Sequence, residues 1–154
     1  MKIWFILLLL PSCLFADTTE INAYWKEVSR SVREGDFEAY KATCHPEGVL
    51  VAGTRQKSEP LSEALARWKK NFTQTKSGDM KANASFRFSQ RIINETTAHE
   101  TGILLYTEKT KDRNIVDYVH LETLLVKKNG RWLILMEYQK SAATEAEWKA
   151  LAPK

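Results

Sequence analysis

Proton transfer near neutral pH falls first to histidine, and this chain has three: His45, His99 and His120. His45 precedes Pro46, where its ring can cap carbonyls at the end of a helix. His99 stands between Ala98 and Glu100 in a stretch of mixed pattern. His120 lies in Asp117-Tyr118-Val119-His120-Leu121-Glu122, the most polar part of an otherwise apolar segment. Strand alternation puts Tyr118, His120 and Glu122 on one face and Asp117 on the other. A carboxylate can orient an imidazole. Tyr118, His120, Glu122 and Asp117 are therefore the candidate catalytic residues, suited to a lyase or isomerase that works by acid–base chemistry. Polar groups on a sheet face are also usually solvated or in a dimer contact, and that reading stands beside the catalytic one.

Other chemistries find less support. Cys13 and Cys44 are the two cysteines. With Cys13 in a leader, Cys44 is left without an intramolecular partner, and its place on an amphipathic segment fits a buried, unreactive thiol. No Cys/His cluster has the spacing of metal ligands, and neither a metal nor another cofactor is expected. The formal charge is +4. Its basic residues are scattered, with Lys69-Lys70 and Lys127-Lys128 the adjacent pairs, so no nucleic-acid partner is expected. Asn71, Asn83 and Asn94 open Asn-x-Ser/Thr sequons, which are coincidental in a bacterial export route.

The elements that must position these groups follow from periodicity. Ile21, Trp25, Val28 and Val32 share one face of a first helix, predicted over 17–34 and stopped by Gly35. Asp36 caps a shorter second helix with Phe37, Tyr40 and Cys44 inward, ended by His45-Pro46. Residues 48–52 read as a short strand and 53–57 as polar loop. Pro60 sits in the first turn of a third helix that carries Leu61, Leu65, Trp68 and Phe72, with 73–79 its exit loop. The period then changes to two. Ala84, Phe86, Phe88, Gln90 and Ile92 alternate with polar neighbours. Strands at 97–109, 115–127 and 131–140 follow, the last two joined by the hairpin signal Asn129-Gly130. Thr144 and Glu147 form a capping box for a short last helix with Trp148 and Leu151.

Helices first and antiparallel strands after predict an α+β domain: a cone in which N-terminal helices pack on a curved, mostly antiparallel sheet, with a short C-terminal helix. Composition agrees, at 44% hydrophobic and 27% charged in 154 residues. The aromatic residues and Met136 supply the expected wall of a pocket between helices and sheet: Trp25, Tyr40, Trp68, Phe86, Phe88, Trp132, Met136 and Tyr138. Hairpin register decides which strand face lines it. A two-residue turn pairs Lys128 with Arg131. It sets Trp132, Ile134, Met136 and Tyr138 beside Asp117, Val119, Leu121, Thr123 and Leu125, and leaves Glu122 facing Glu137. A three-residue bulged turn instead joins Trp132, Ile134, Met136 and Tyr138 to Tyr118, His120 and Glu122. The two-residue register also leaves Leu124, Val126, Leu133 and Leu135 on the opposite face, apolar enough to predict a homodimer.

Residues 1–16 stand apart. Lys2, an apolar run from Ile3 to Leu10 and the exit Pro11-Ser12-Cys13-Leu14-Phe15-Ala16 have the order of a signal peptide. The run is too short to span a bilayer. Cleavage after Ala16 leaves residues 17–154 as the exported domain, periplasmic or secreted, with no transmembrane segment. Leu10-Pro11-Ser12-Cys13 offers the alternative of a lipoprotein box with Cys13 anchored.

Three stretches resemble the SnoaL-like and ketosteroid-isomerase-like branch of the nuclear-transport-factor-2-like superfamily. They are Gly35-Asp36-Phe37-Glu38-Ala39-Tyr40 at the break between helices, His45-Pro46-Glu47-Gly48-Val49-Leu50 at the first strand, and Gly130-Arg131-Trp132-Leu133-Ile134 with Ser141 at the last. The resemblance implies the cone fold over residues 18–141 and leaves activity open. Ketosteroid isomerases place an aspartate base near the end of the first strand, where this chain has Ala52, so that activity is not expected. The leading expectation is a module whose pocket binds a small, mostly apolar organic molecule. The alternatives are the lyase or isomerase above and a dimeric interaction module with a filled pocket.

Overall fold

The computed structural model describes residues 18–151, so the expected leader, its cleavage site and Cys13 lie outside the described residues. The domain carries its helices first, then a curved six-stranded sheet, then a short helix. Helix α1 spans Thr19–Glu34 and turns its apolar stripe inward, with Ile21 fully buried and Tyr24, Trp25, Val28 and Val32 nearly so. Gly35 ends it at φ +67, a left-handed conformation in which a Cβ would also strike the Lys76 backbone at 2.4 Å. Helix α2 is Phe37–Ala42, capped by the Asp36 carboxylate accepting from the Ala39 N–H at 3.2 Å.

Strand β1 begins at Cys44 and runs to Ala52, so α2 closes two residues earlier than predicted and His45-Pro46 lie in the strand. Pro46 falls within an irregular stretch of the β1–β6 pairing, where its missing N–H is tolerated. The expected polar loop holds a 3-10 turn and a four-residue strand β2, Lys57–Pro60. It was illegible because Lys57-Ser58-Glu59-Pro60 has no apolar alternation. Glu59 is nonetheless buried, with Lys57 at 2.6 Å and Arg67 of the next helix as ion partners. Helix α3 is Leu61–Ser77, one turn longer than predicted, and ends at Gly78.

Strands β3 (Lys81–Ile93), β4 (Thr97–Lys109), β5 (Asn114–Lys128) and β6 (Arg131–Ala142) form the long antiparallel part. The sheet order is β2-β1-β6-β5-β4-β3, with only β1 and β6 parallel. Asn129 and Gly130 take positive φ in a two-residue turn that pairs Lys128 with Arg131. Register breaks then curve the sheet. One lies in β3 between Phe88 and Gln90, one in β6 at Leu135, and one in β6 at Lys140. The first turns Arg91 inward and Gln90 and Ile92 outward, against simple alternation. Gly102 lies opposite it, where a Cβ would meet the Arg87 carbonyl at 2.1 Å, so only glycine lets β3 and β4 approach there.

The helices cover the concave face. Ile21, Leu50 and Leu125 are fully buried in the core between them and the sheet, each contributing roughly 1.5–3 kcal/mol. Helix α4, Glu145–Ala150, carries the predicted capping box and folds onto the convex face. Its Trp148 stacks under the Arg87 guanidinium at 4.5 Å, and Arg87 donates to the Trp148 and Leu151 carbonyls. Among the described residues no helix is long and apolar enough to cross a membrane.

Candidate functional site

The concave face and the helices enclose a cavity of about 250 Å³. Its chemistry follows from which residues the elements aim into it. Helix α1 sends Tyr24 and Trp25, α2 sends Tyr40, and α3 sends Trp68 and Phe72. Phe86 of β3 and Tyr106 of β4 complete seven aromatic walls, and the small Ala82 and Ala84 leave room between them. The rings hold one another at Trp25–Phe86 4.4 Å and Tyr40–Phe72 5.0 Å between centroids.

A row of polar residues crosses the concave face beneath these rings. Arg91, Glu100, Thr123 and Glu137 are successive cross-strand partners on β3, β4, β5 and β6. Glu100 is fully buried, accepts from the Trp25 indole N–H at 2.6 Å and is paired with Arg91, which also donates to Asn22 at 2.6 Å. Burial nevertheless pushes the Glu100 carboxyl above its usual pKa, against the pull of Trp25 and Arg91. This network ties α1 to the sheet and fixes Trp25. The Thr123 hydroxyl, between the two carboxyls, finds no hydrogen-bond partner among the described residues.

Glu137 is the member of the row that faces the cavity. Its side chain is buried and accepts from the Gln139 amide at 2.7 Å. Burial raises its pKa, with only the Gln139 bond opposing. Tyr24 and Tyr40 stand around it, both hydroxyls pushed well up by burial, and burial takes the Cys44 thiol to about 12, which suits an unreactive sulfur. Asp117 also lines the cavity from an exposed position.

The residues predicted from sequence divide. Tyr118, His120 and Glu122 do share one face, but it is the convex face, outside the cavity, and they do not act together. Glu122 is engaged by His99 at 2.9 Å and Lys140 at 3.1 Å, which hold its carboxyl below the usual range. His120 instead faces Glu147 of α4 at 3.3 Å, and Tyr118 packs on Trp148 with ring centroids 6.2 Å apart. Asp117 is the one of the four that reaches the cavity.

Of the expected wall, Trp25, Tyr40, Trp68 and Phe86 line the cavity. Phe88 and Trp132 pack in the core beside it. Met136 and Tyr138 point to the convex face, because the extra residue Leu135 shifts the β6 side chains that follow it, as far as the second break at Lys140, across the sheet. Glu137 and Gln139 take their places inside. Sequence reasoning missed Glu137 for that reason: the unbulged two-residue register sets it opposite Glu122 on the outer face. Among the described residues no three His, Cys, Asp or Glu side chains converge as a metal would require.

No known family profile matches the sequence, and no curated protein matches it. Solved structures do match in fold. A protein from Exiguobacterium sibiricum, provisionally assigned as a calcium/calmodulin-dependent kinase II association domain, superposes with a TM-score of 0.66 at 13% identity, covering 84% of this chain and 95% of its own. A nuclear-transport-factor-2-like protein of unknown function from Shewanella oneidensis gives 0.60 at 21% identity, with 79% and 96% covered. Another such protein, from Cytophaga hutchinsonii, gives 0.58 at 11% identity, with 79% and 95% covered. The fold is therefore the nuclear-transport-factor-2-like cone, as the sequence resemblance implied.

Proposed function

We propose that this domain is an exported binding module whose cavity takes a small, mostly apolar organic molecule. The observation that carries the reading is the cavity itself, about 250 Å³ walled by seven aromatic side chains and floored by one buried carboxyl. Binding sites of this kind are concave, largely apolar and carry a few placed polar groups. Trp25 and Trp68 lie in the wall, so a bound molecule alters tryptophan emission. The test is mass spectrometry of small molecules that co-purify with the protein, followed by fluorescence titration of wild type against Trp68→Ala. A specific molecule held by wild type and weakened at least tenfold in the variant supports the reading. A protein that purifies empty and gives no titration across an apolar panel sinks it.

Glu137 favours a second reading, a lyase or isomerase in the same cavity. A carboxyl whose pKa burial raises can give and take a proton beside a bound carbonyl or hydroxyl compound. Turnover by wild type and a roughly 10²–10⁴-fold loss in Glu137→Gln would establish it.

Export rests on residues 1–16, and fractionation of the host, with Cys13→Ala to separate an anchored from a free form, tests it. We also propose a homodimer through the convex face, where Ile92 and Val116 are 59% and 51% exposed. A monomeric mass by light scattering at micromolar concentration would refute the dimer.

A further inference from the structure

The charge inside the cavity is one-sided. Among the described residues that line it, the carboxyls are Asp117 and Glu137, and none is Lys, Arg or His. An anionic ligand would have to enter against two acids and the negative faces of the rings. A neutral apolar ligand would fit the rings but leave the acids unused. A cation meets both, because ring faces and carboxylates attract positive charge together.

The molecule already uses this attraction elsewhere. Arg91 lies 4.8 Å over Phe88, Arg87 4.5 Å over Trp148, and Lys127 6.0 Å over Trp132. Those rings lie outside the cavity, whereas the cavity rings pack only on one another or on neighbouring aromatic residues among the described ring contacts. Trp25 is held by its bond to Glu100, and Tyr24 by a 3.3 Å bond to the Thr43 carbonyl, so two walls are oriented before anything binds. A fixed wall loses little entropy on binding.

We propose that the cavity selects a small organic cation, an amine or quaternary ammonium carried on an apolar body, with its charge held between the Glu137 carboxylate and the aromatic walls. This deepens the binding reading above and rests on it. It assigns a use to the one buried acid that faces the cavity. Burial favours the neutral acid, and an entering cation supplies a partner for the charged form. The charged and titratable groups facing Glu137 from neighbouring elements are Tyr24 of α1, Tyr40 of α2 and Cys44 of β1, and none supplies a competing positive charge.

The experiment compares three probes on the purified protein by tryptophan fluorescence and calorimetry: phenyltrimethylammonium, its carbon isostere tert-butylbenzene, and the anion phenylacetate. The cation should bind at least tenfold tighter than the isostere, with phenylacetate weakest. Glu137→Gln should lower cation affinity at least tenfold and leave the isostere within about twofold. Asp117→Asn, at an exposed position, should lower it by a smaller factor. An isostere that binds as well as the cation, or a cation indifferent to Glu137→Gln, overturns the proposal and leaves the binding reading standing. If neither phenyltrimethylammonium nor tert-butylbenzene binds, the cavity reading fails and this inference falls with it.

Discussion

Replacing Arg91 with methionine should expose how much the buried polar row contributes. The variant keeps an unbranched stem over Phe88 and removes the guanidinium that pairs with Glu100. Glu100 is fully buried, and the Arg91 side chain is 10% exposed, so solvent cannot replace the lost partner. Breaking such a pair from one side costs about 3–5 kcal/mol. In a domain of this size that lowers the melting temperature by on the order of 10–20 °C. The cost must depend on pH. Glu100 already titrates above its usual value because of burial, and removing Arg91 takes away one of the groups that oppose burial. Its folded pKa then climbs further above the unfolded one. As pH rises past the unfolded value, the unfolded chain releases a proton that the folded chain retains, so stability falls through that window. Urea unfolding at pH 4 and pH 8 should therefore show a small loss at the lower pH and the full loss at the higher. Adding Glu100→Gln, which still accepts from the Trp25 N–H, should recover most of it, because neutral replacements of buried pairs are often tolerated. A loss below about 1 kcal/mol at pH 8, or the same loss at both pH values, would refute the argument.

Glu137→Gln should be more stable than wild type at pH 8 and converge with it towards pH 4, since burial raises the folded pKa of the acid. Each tenfold gap in proton affinity between folded and unfolded states is worth about 1.4 kcal/mol, and parallel stability curves would contradict a raised folded pKa at Glu137. His120→Ala should leave probe binding in the cavity within about twofold, because His120 sits on the convex face against Glu147. A tenfold loss of affinity there would return His120 to the site.

Local patterns in the sequence determined most of the elements. Helical spacing at Ile21, Trp25, Val28 and Val32, the stop at Gly35, the two-residue turn at Asn129-Gly130 and the box at Thr144 and Glu147 each depend on neighbours within a few residues, and each is present. The short β2 was not legible, because an amphipathic signal is absent where only Glu59 is buried by ion pairing. The candidate site was half legible. Trp25, Tyr40, Trp68 and Phe86 follow from helical and strand periods, and they line the cavity. Glu137 does not follow from any period. Alternation has a period of two, so one extra residue at Leu135 exchanges the two faces of β6 up to the next break at Lys140, bringing Glu137 and Gln139 in and sending Met136 and Tyr138 out. Nothing local in Leu133-Ile134-Leu135-Met136 marks that residue as the bulge. It is set by how β6 must curve to pair with β5 on one side and β1 on the other while the sheet wraps the helices, and only the tertiary structure brings those three constraints together.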